Sequence, residues 1–179
     1  MYEAIIVGLI LGVLWFIEKF FGTCMVIRPL VVSPLVGLAL GDLQTGVVIG
    51  ATLEMVFMGA IQIGGAVPPD ALVGAGLGTA FAILTNQGAE IALTLALPIA
   101  ILAQSIKVLL FIIRSGFMTP AMKYAEAGDI RKMKMLNYAG LLLQSLMYFA
   151  VAFVAIMFGS AAVEAFVNNI PETIMQGLN

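Results

Sequence analysis

Apolar runs cover most of the chain, at Ala4 to Ile17, Phe20 to Ile27, Leu30 to Leu40, Gly46 to Ile61, Ala71 to Leu84, Ile91 to Ile113 and Tyr138 to Gly159. The run Ile91 to Ile113 is long enough to span a bilayer with some tilt; Pro98 predicts a kink in it, and Gln104 and Lys107 interrupt its apolar face. Tyr138 to Gly159 crosses in the opposite sense and carries Gln144 and Tyr148 within it. The first run falls short of the roughly 20 residues of a straight span, so it takes in flanking residues or crosses obliquely or in part. Leu30 to Leu40 and Gly46 to Ile61 are short too, and they flank a polar turn at Gly41–Asp42. That pattern predicts a re-entrant hairpin or a tightly turned helix pair.

Between Gln62 and Asp70 a helix must break. Gly64 and Gly65 loosen the backbone, and Pro68 and Pro69 remove N–H donors and forbid a continuous helix. In lipid such a break survives only where protein buries it or a water-filled cavity lines it, and transporters place these breaks at their substrate sites. Glycines four apart recur on either side of the break, at Gly37 with Gly41, Gly46 with Gly50 and Gly74 with Gly78. This spacing lets helix backbones approach closely, although glycine is also simply common in membrane helices.

Composition bears this out. Apolar residues make up 62% of the 179 and charged ones 10%, where a soluble domain carries roughly 25% charged residues. The expected fold class is an all-α integral membrane protein with several transmembrane and re-entrant or broken helices, residues 1–179 forming one membrane domain. The N-terminal run has Glu3 where a signal peptide needs a basic region, so it reads as retained. Five cations fall within the hydrophilic segment 114–137, namely Arg114, Lys123, Arg131, Lys132 and Lys134, which places it as a cytoplasmic basic loop. It serves as a topology anchor or, in addition, as a docking surface for a cytoplasmic partner. The tail 160–179 then lies outside or at the interface.

One cysteine, Cys24, excludes an internal disulfide and a cysteine-cluster metal site, and the absence of histidine excludes a Ser-His-Asp triad, a histidine-ligated zinc and a phosphohistidine on this chain. Catalysis is therefore not expected, and no cofactor is called for. The chain lacks a basic face with interleaved aromatics, which disfavours nucleic acid. Gly41–Asp42 does not complete the GxGD of an intramembrane aspartyl protease, because Ala39 stands at the first glycine position.

The residues that carry chemistry are Asp42, Glu54, Gln62 and Asp70, all inside the stretch Gly37 to Gly78. An intramembrane carboxylate costs about 2.5–3.5 kcal/mol on the insertion scale, so it faces a cavity or a partner. Asp42, at a segment end, is the cheaper one; Glu54 sits mid-segment. Lys107 either snorkels toward the basic side or pairs with a buried carboxylate such as Glu54.

The words RPL at Arg28 to Leu30, LVGLALGDLQTGVVIGATLE at Leu35 to Glu54, IGGAVPPD at Ile63 to Asp70 and GTAFAI at Gly78 to Ile83 resemble the IIC membrane subunit of mannose-type sugar phosphotransferase systems. The resemblance runs the length of the chain. It implies a sugar-conducting subunit for a hexose or amino-hexose, set in the bilayer with a IID membrane subunit in a hetero-oligomer, trimeric in expectation. The phosphoryl group would come from cytoplasmic IIA and IIB subunits. On the matching motif it implies Glu54, Gln62 and Asp70 as sugar-facing groups, which suit hydroxyl recognition because carboxylates and amides accept or donate at fixed geometry. Each has a structural alternative: Glu54 pairing with a helix N-terminus, Gln62 bonding between helices, Asp70 capping the helix after the prolines. Members of that family run on past the position matching Asn179, so the expectation is a shortened chain, and the alternative function is a truncated, non-transporting membrane scaffold.

Overall fold

The structure is a computed structural model that describes residues 1–60, 63–85 and 89–168, with side chains described for 1–60, 63–85 and 90–159. Among these residues every regular element is a helix: α1 (Tyr2–Phe20), α2 (Pro29–Leu40), α3 (Leu43–Phe57), α4 (Ala71–Leu84), α5 (Ala89–Ser115), α6 (Met118–Glu126) and α7 (Ile130–Asn168). The all-α membrane architecture with broken helices is the one the apolar pattern predicts. Over 90–126 and 130–159 the helical stretches are long and apolar enough to cross a bilayer, while α2, α3 and α4 are shorter apolar helices. Leu102, Leu109 and Ile112 on α5 and Leu142, Leu146 and Phe158 on α7 are exposed, whereas Glu18, Asp70, Thr79 and Gln144 are buried. Apolar outside with polar groups inside is the arrangement a bilayer selects.

The first helix settles its ambiguous run by absorbing the flanks: α1 has 19 residues, about 28 Å at 1.5 Å per residue. It lies antiparallel to α7. A Cβ on Gly8 would meet the Phe149 carbonyl oxygen at 3.1 Å and one on Gly12 the Ser145 carbonyl oxygen at 3.0 Å. Ser145 Oγ also donates to the Gly12 carbonyl at 2.8 Å. At the far end the Phe20 and Tyr138 rings lie 6.3 Å apart.

Helices α2 and α3 form the tightly turned pair. Pro29 opens α2 where its missing N–H costs nothing. Gly41, at φ +89°, ends it, with Asp42 N–H bonded to the Gly37 carbonyl at 2.8 Å and Gly41 N–H to that of Leu38 at 3.3 Å, a left-handed termination that favours glycine. Asp42 then caps α3 through Thr45 N–H at 3.0 Å. Gly37 and Gly46 meet backbone to backbone, and Gly50 faces the Pro29 carbonyl.

Of the three glycine spacings, two therefore line contacts as pairs. Gly46 and Gly50 face α2, and Gly74 and Gly78 face the Ala96 and Ala92 carbonyls of α5. The third divides: Gly37 packs, while Gly41 makes the turn.

Helix α4 is the axis. Every residue from Leu72 to Ala82 is buried, and α1, α2, α3, α5 and α7 all contact it. A helix apolar all round belongs in such a position, and its run of Gly and Ala lets the neighbours close in. The segment feeding it is non-helical from Ile63 to Asp70, as the prolines require. Its backbone is tied to α5, with Gln104 Nε2 donating to the Val67 carbonyl at 2.5 Å and Asp70 N–H to the Ala100 carbonyl at 3.0 Å. Gln104, an interruption in the apolar pattern, is thus the group that satisfies the break. The hydrophilic segment 114–137 is largely helical, containing α6 and the first residues of α7, and α6 buries no residue.

Replacing Gly46 by Ala places a Cβ 2.7 Å from the Ser33 carbonyl oxygen and 2.9 Å from Gly37 Cα. The helices must part, at an expected cost of about 1–3 kcal/mol, measured as a lowered unfolding midpoint in detergent. Gly65→Ala, whose added Cβ meets no other group within 4 Å among the described residues, serves as the neutral comparison; equal midpoints for the two would contradict the packing account.

Candidate functional site

The break delivers Asp70 to the start of α4, where its two oxygens have different tasks. Oδ1 accepts the Val73 N–H at 3.2 Å, which is the helix cap. Oδ2 accepts the Tyr148 hydroxyl at 2.6 Å and lies 3.3 Å from Lys107 Nζ. Asp70 is 4% exposed, so an unpaired charge there would cost several kcal/mol. A lysine and a phenol from two further helices supply the compensation. A carboxylate has about four lone-pair sites; three are used among the described residues, one on Oδ1 and two on Oδ2.

These groups stand in the wall of a chamber of about 550 Å³, bounded by the end of α1, the loop before α2, the Pro68–Leu72 segment, the second half of α5 and the first half of α7. The volume falls within the usual range for small-molecule sites. Trp15 stacks on Tyr148 with ring centroids 5.7 Å apart. Glu18 is buried and accepts the Val26 N–H at 3.1 Å, which fastens the loop before α2. On the far side Arg114 Nη1 donates to Gln144 Oε1 at 2.5 Å. Carboxylate, amide, phenol and ammonium groups converge here beside an aromatic wall, a set able to pair with the hydroxyls of a solute.

A larger groove of about 820 Å³ runs between α4, α5 and α7, but Thr94 is its only residue with a polar side chain and the remaining lining is aliphatic, aromatic or glycine. It offers no convergent polar groups to a hydrophilic ligand.

Of the residues singled out from sequence, Asp70 and Glu54 do not share the chamber. Asp70 lines the chamber. Glu54 does not: it accepts from Arg28 Nε at 2.7 Å and from Leu30 N–H at 3.2 Å, with Arg28 Nη2 also paired to it. It therefore satisfies an N-terminal donor of α2 and fixes Arg28, and Arg28 is the member of that pair that lines the chamber. Gln62 lies outside the described residues. Lys107 pairs with a buried carboxylate, but with Asp70 and not with Glu54.

Sequence reasoning did not assign Trp15, Tyr148, Gln144 or Arg114 to the site. The available signal was the i, i+4 spacing of Gln144 and Tyr148 in an otherwise apolar helix, which puts both on one face.

A chamber of convergent polar groups, built at a broken helix inside an apolar bundle, marks an integral membrane protein with a candidate solute site, in the position where membrane transporters place theirs. Sequence and structure comparisons identify the family. The family model for the sorbose-specific IIC component of the phosphotransferase system matches residues 1–179, and the chain belongs to this family. It is 33% identical over 151 residues to the fructose permease IIC component of Bacillus subtilis, a match covering 84% of this chain and 56% of that protein. It is 35% identical over 153 residues to the mannose-specific EIIC component of Escherichia coli K12, covering 85% and 58%. The cryo-EM structure of the mannose transporter ManYZ with microcin E492 superposes with a TM-score of 0.82 at 30% identity, covering 99% of this chain and 71% of that one. The chain thus spans a little under three fifths of the length of these two curated relatives.

The Asp70–Lys107 pair lends itself to a double-mutant cycle on unfolding in detergent. Asp70→Asn and Lys107→Met each strand a partner, and the double variant is expected to lose less than their sum, with a coupling of about 1–3 kcal/mol. Strictly additive losses would mean the pair has no energetic link.

Proposed function

We propose that this chain is the sugar-binding IIC subunit of a phosphoenolpyruvate-dependent phosphotransferase system of the mannose family, taking a hexose or an amino-hexose into the chamber at Asp70. The observation that carries the reading is the Asp70 carboxylate, buried yet on the chamber wall and held there by Tyr148, Lys107 and the α4 backbone. Hydroxyl pairs of a sugar bind the carboxylate and the neighbouring amide and phenol, while Trp15 and Tyr148 offer an apolar surface to the ring. Gln62 joins the proposal through its sequence position, two residues after Ala60, which lines the chamber. Glu54 contributes by holding Arg28 in place.

The basic segment 114–137 faces the cytoplasm by the positive-inside rule. Arg114, the penultimate residue of α5, then puts the chamber at the cytoplasmic end of the bundle. A sugar released there meets the cytoplasmic IIB and IIA phosphocarriers, and a IID subunit completes the membrane assembly in the inner membrane, as the similarity to a ManYZ transporter supports. Phosphoryl transfer belongs to those partners.

Calorimetric titration of the chain, purified with its IID partner, with mannose, fructose, sorbose and N-acetylgalactosamine tests this. Saturable binding of at least one sugar is expected, weakened roughly tenfold or more by Asp70→Asn, since a hydrogen bond to a charged group contributes about 1.5–3 kcal/mol. Glu54→Gln is expected to have the smaller effect. Absence of binding to any sugar would favour the scaffold reading.

A further inference from the structure

One cation of the chamber wall stands apart from the carboxylates. Among the described residues the walls carry Lys19, Arg28, Lys107 and Arg114 beside Glu18 and Asp70, with Glu54 paired to Arg28 and Glu18 bonded to the Val26 N–H. Two of the cations are accounted for, Arg28 by Glu54 and Lys107 by Asp70. Lys19 is exposed to solvent. Arg114 is only partly exposed and has no carboxylate partner among the described residues; its one side-chain hydrogen bond there goes to the neutral amide of Gln144. A guanidinium has five N–H donors, so most of its donor capacity is unengaged by the described protein groups.

Nor does the side chain simply reach out to a membrane surface. Gln144 is 2% exposed, so the guanidinium is drawn inward to meet it. It lies across Gly140, where an added Cβ would come within 3.4 Å of Nη2. Seven residues separate Arg114 from Lys107, two turns along one face of α5, or about 10 Å at 1.5 Å per residue. The chamber thus has a deep level at Asp70, Lys107 and Tyr148 and an outer level at the Arg114 guanidinium, which the buried Gln144 holds. A hexose bonded at the deep level extends its far end toward the guanidinium. An uncharged hydroxyl has no need of a free guanidinium, whereas a phosphoryl dianion matches its planar fork with two parallel charge-assisted bonds.

We propose that Arg114, oriented by Gln144, is a phosphoryl-binding group of this chamber, so that the site accepts a sugar phosphomonoester as well as the free sugar. The inference rests on the sugar-chamber reading above. The same phosphoryl chemistry has two sources, the sugar phosphate itself or the phosphoryl group presented by the cytoplasmic donor protein.

The experiment compares mannose with mannose 6-phosphate, and N-acetylgalactosamine with its 6-phosphate, on the chain in its membrane assembly in lipid nanodiscs, first without any phosphodonor. Wild type, Arg114→Gln, Arg114→Lys and Asp70→Asn are titrated. Arg114→Gln is expected to weaken the sugar phosphate roughly tenfold or more while leaving the free sugar within about twofold, and Arg114→Lys to recover part of the loss. Retained free-sugar binding certifies the fold of the variant. If wild type binds the phosphate ester no better than the free sugar, but Arg114→Gln slows phosphoryl transfer from the phosphorylated donor at unchanged sugar affinity, the guanidinium serves the donor's phosphoryl group. Equal effects of Arg114→Gln on both ligands, or no effect on ester binding or transfer, overturn the proposal and leave Arg114 a membrane-interface anchor. The Asp70→Asn arm reads the underlying sugar site separately: if it alters neither ligand, the sugar-chamber reading fails, whatever Arg114 does.

Discussion

The buried carboxylate of Asp70 is the constraint on which the rest of this structure turns. A chain cannot bring a charge into a membrane domain without giving it partners, and here they come from three directions: the α4 backbone, Lys107 of α5 and Tyr148 of α7. The same residue therefore terminates the broken segment, starts the central helix and joins two long helices to it. Removing any one contact leaves the others with an unbalanced charge or a stranded donor. That coupling makes the site and the fold one object: the helix cap and the chamber wall are two oxygens of one side chain.

Small residues make this arrangement sterically possible. Helix α4 is only 14 residues long and must be enclosed by five other helices, so its surface has to be thin. Gly74 and Gly78 admit the α5 backbone, and Gly76 admits Leu11 of α1. In a bilayer, where helices gain nothing by leaving lipid for one another's apolar surface, such close approach supplies the packing contacts that hold a bundle together. Rigid packing around α4 also holds the carboxylate in position, which is what a preorganised binding site requires.

Glu54 and Asp70 illustrate how carboxylates divide their labour. Glu54 is spent on α2, where it neutralises Arg28 and satisfies the Leu30 N–H. Asp70 lines the chamber. Both satisfy the rule that a charge in this setting is paired, but only one stands on the chamber wall. Arg114 is the converse case, a cation whose side-chain partner among the described residues is the neutral amide of Gln144.

Much of the fold was legible in the chain because a membrane imposes simple demands. Run length and apolarity marked α5 and α7, Gly41–Asp42 marked the α2–α3 turn, and Gly64 to Pro69 marked the break, each through a local backbone property that needs no knowledge of neighbours. Asp70 could be read as a candidate for the same reason. Which side chains meet it could not. Lys107 and Tyr148 stand 37 and 78 positions further along the chain, and nothing in their local patterns distinguishes pairing with Asp70 from pairing with Glu54. That choice follows from how the helices are stacked and rotated about α4, since the ion pair forms with whichever carboxylate the packing brings within a few ångströms. Local chemistry along the chain determined the breaks, the turns and the need for charge partners; only the tertiary packing decided the pairs.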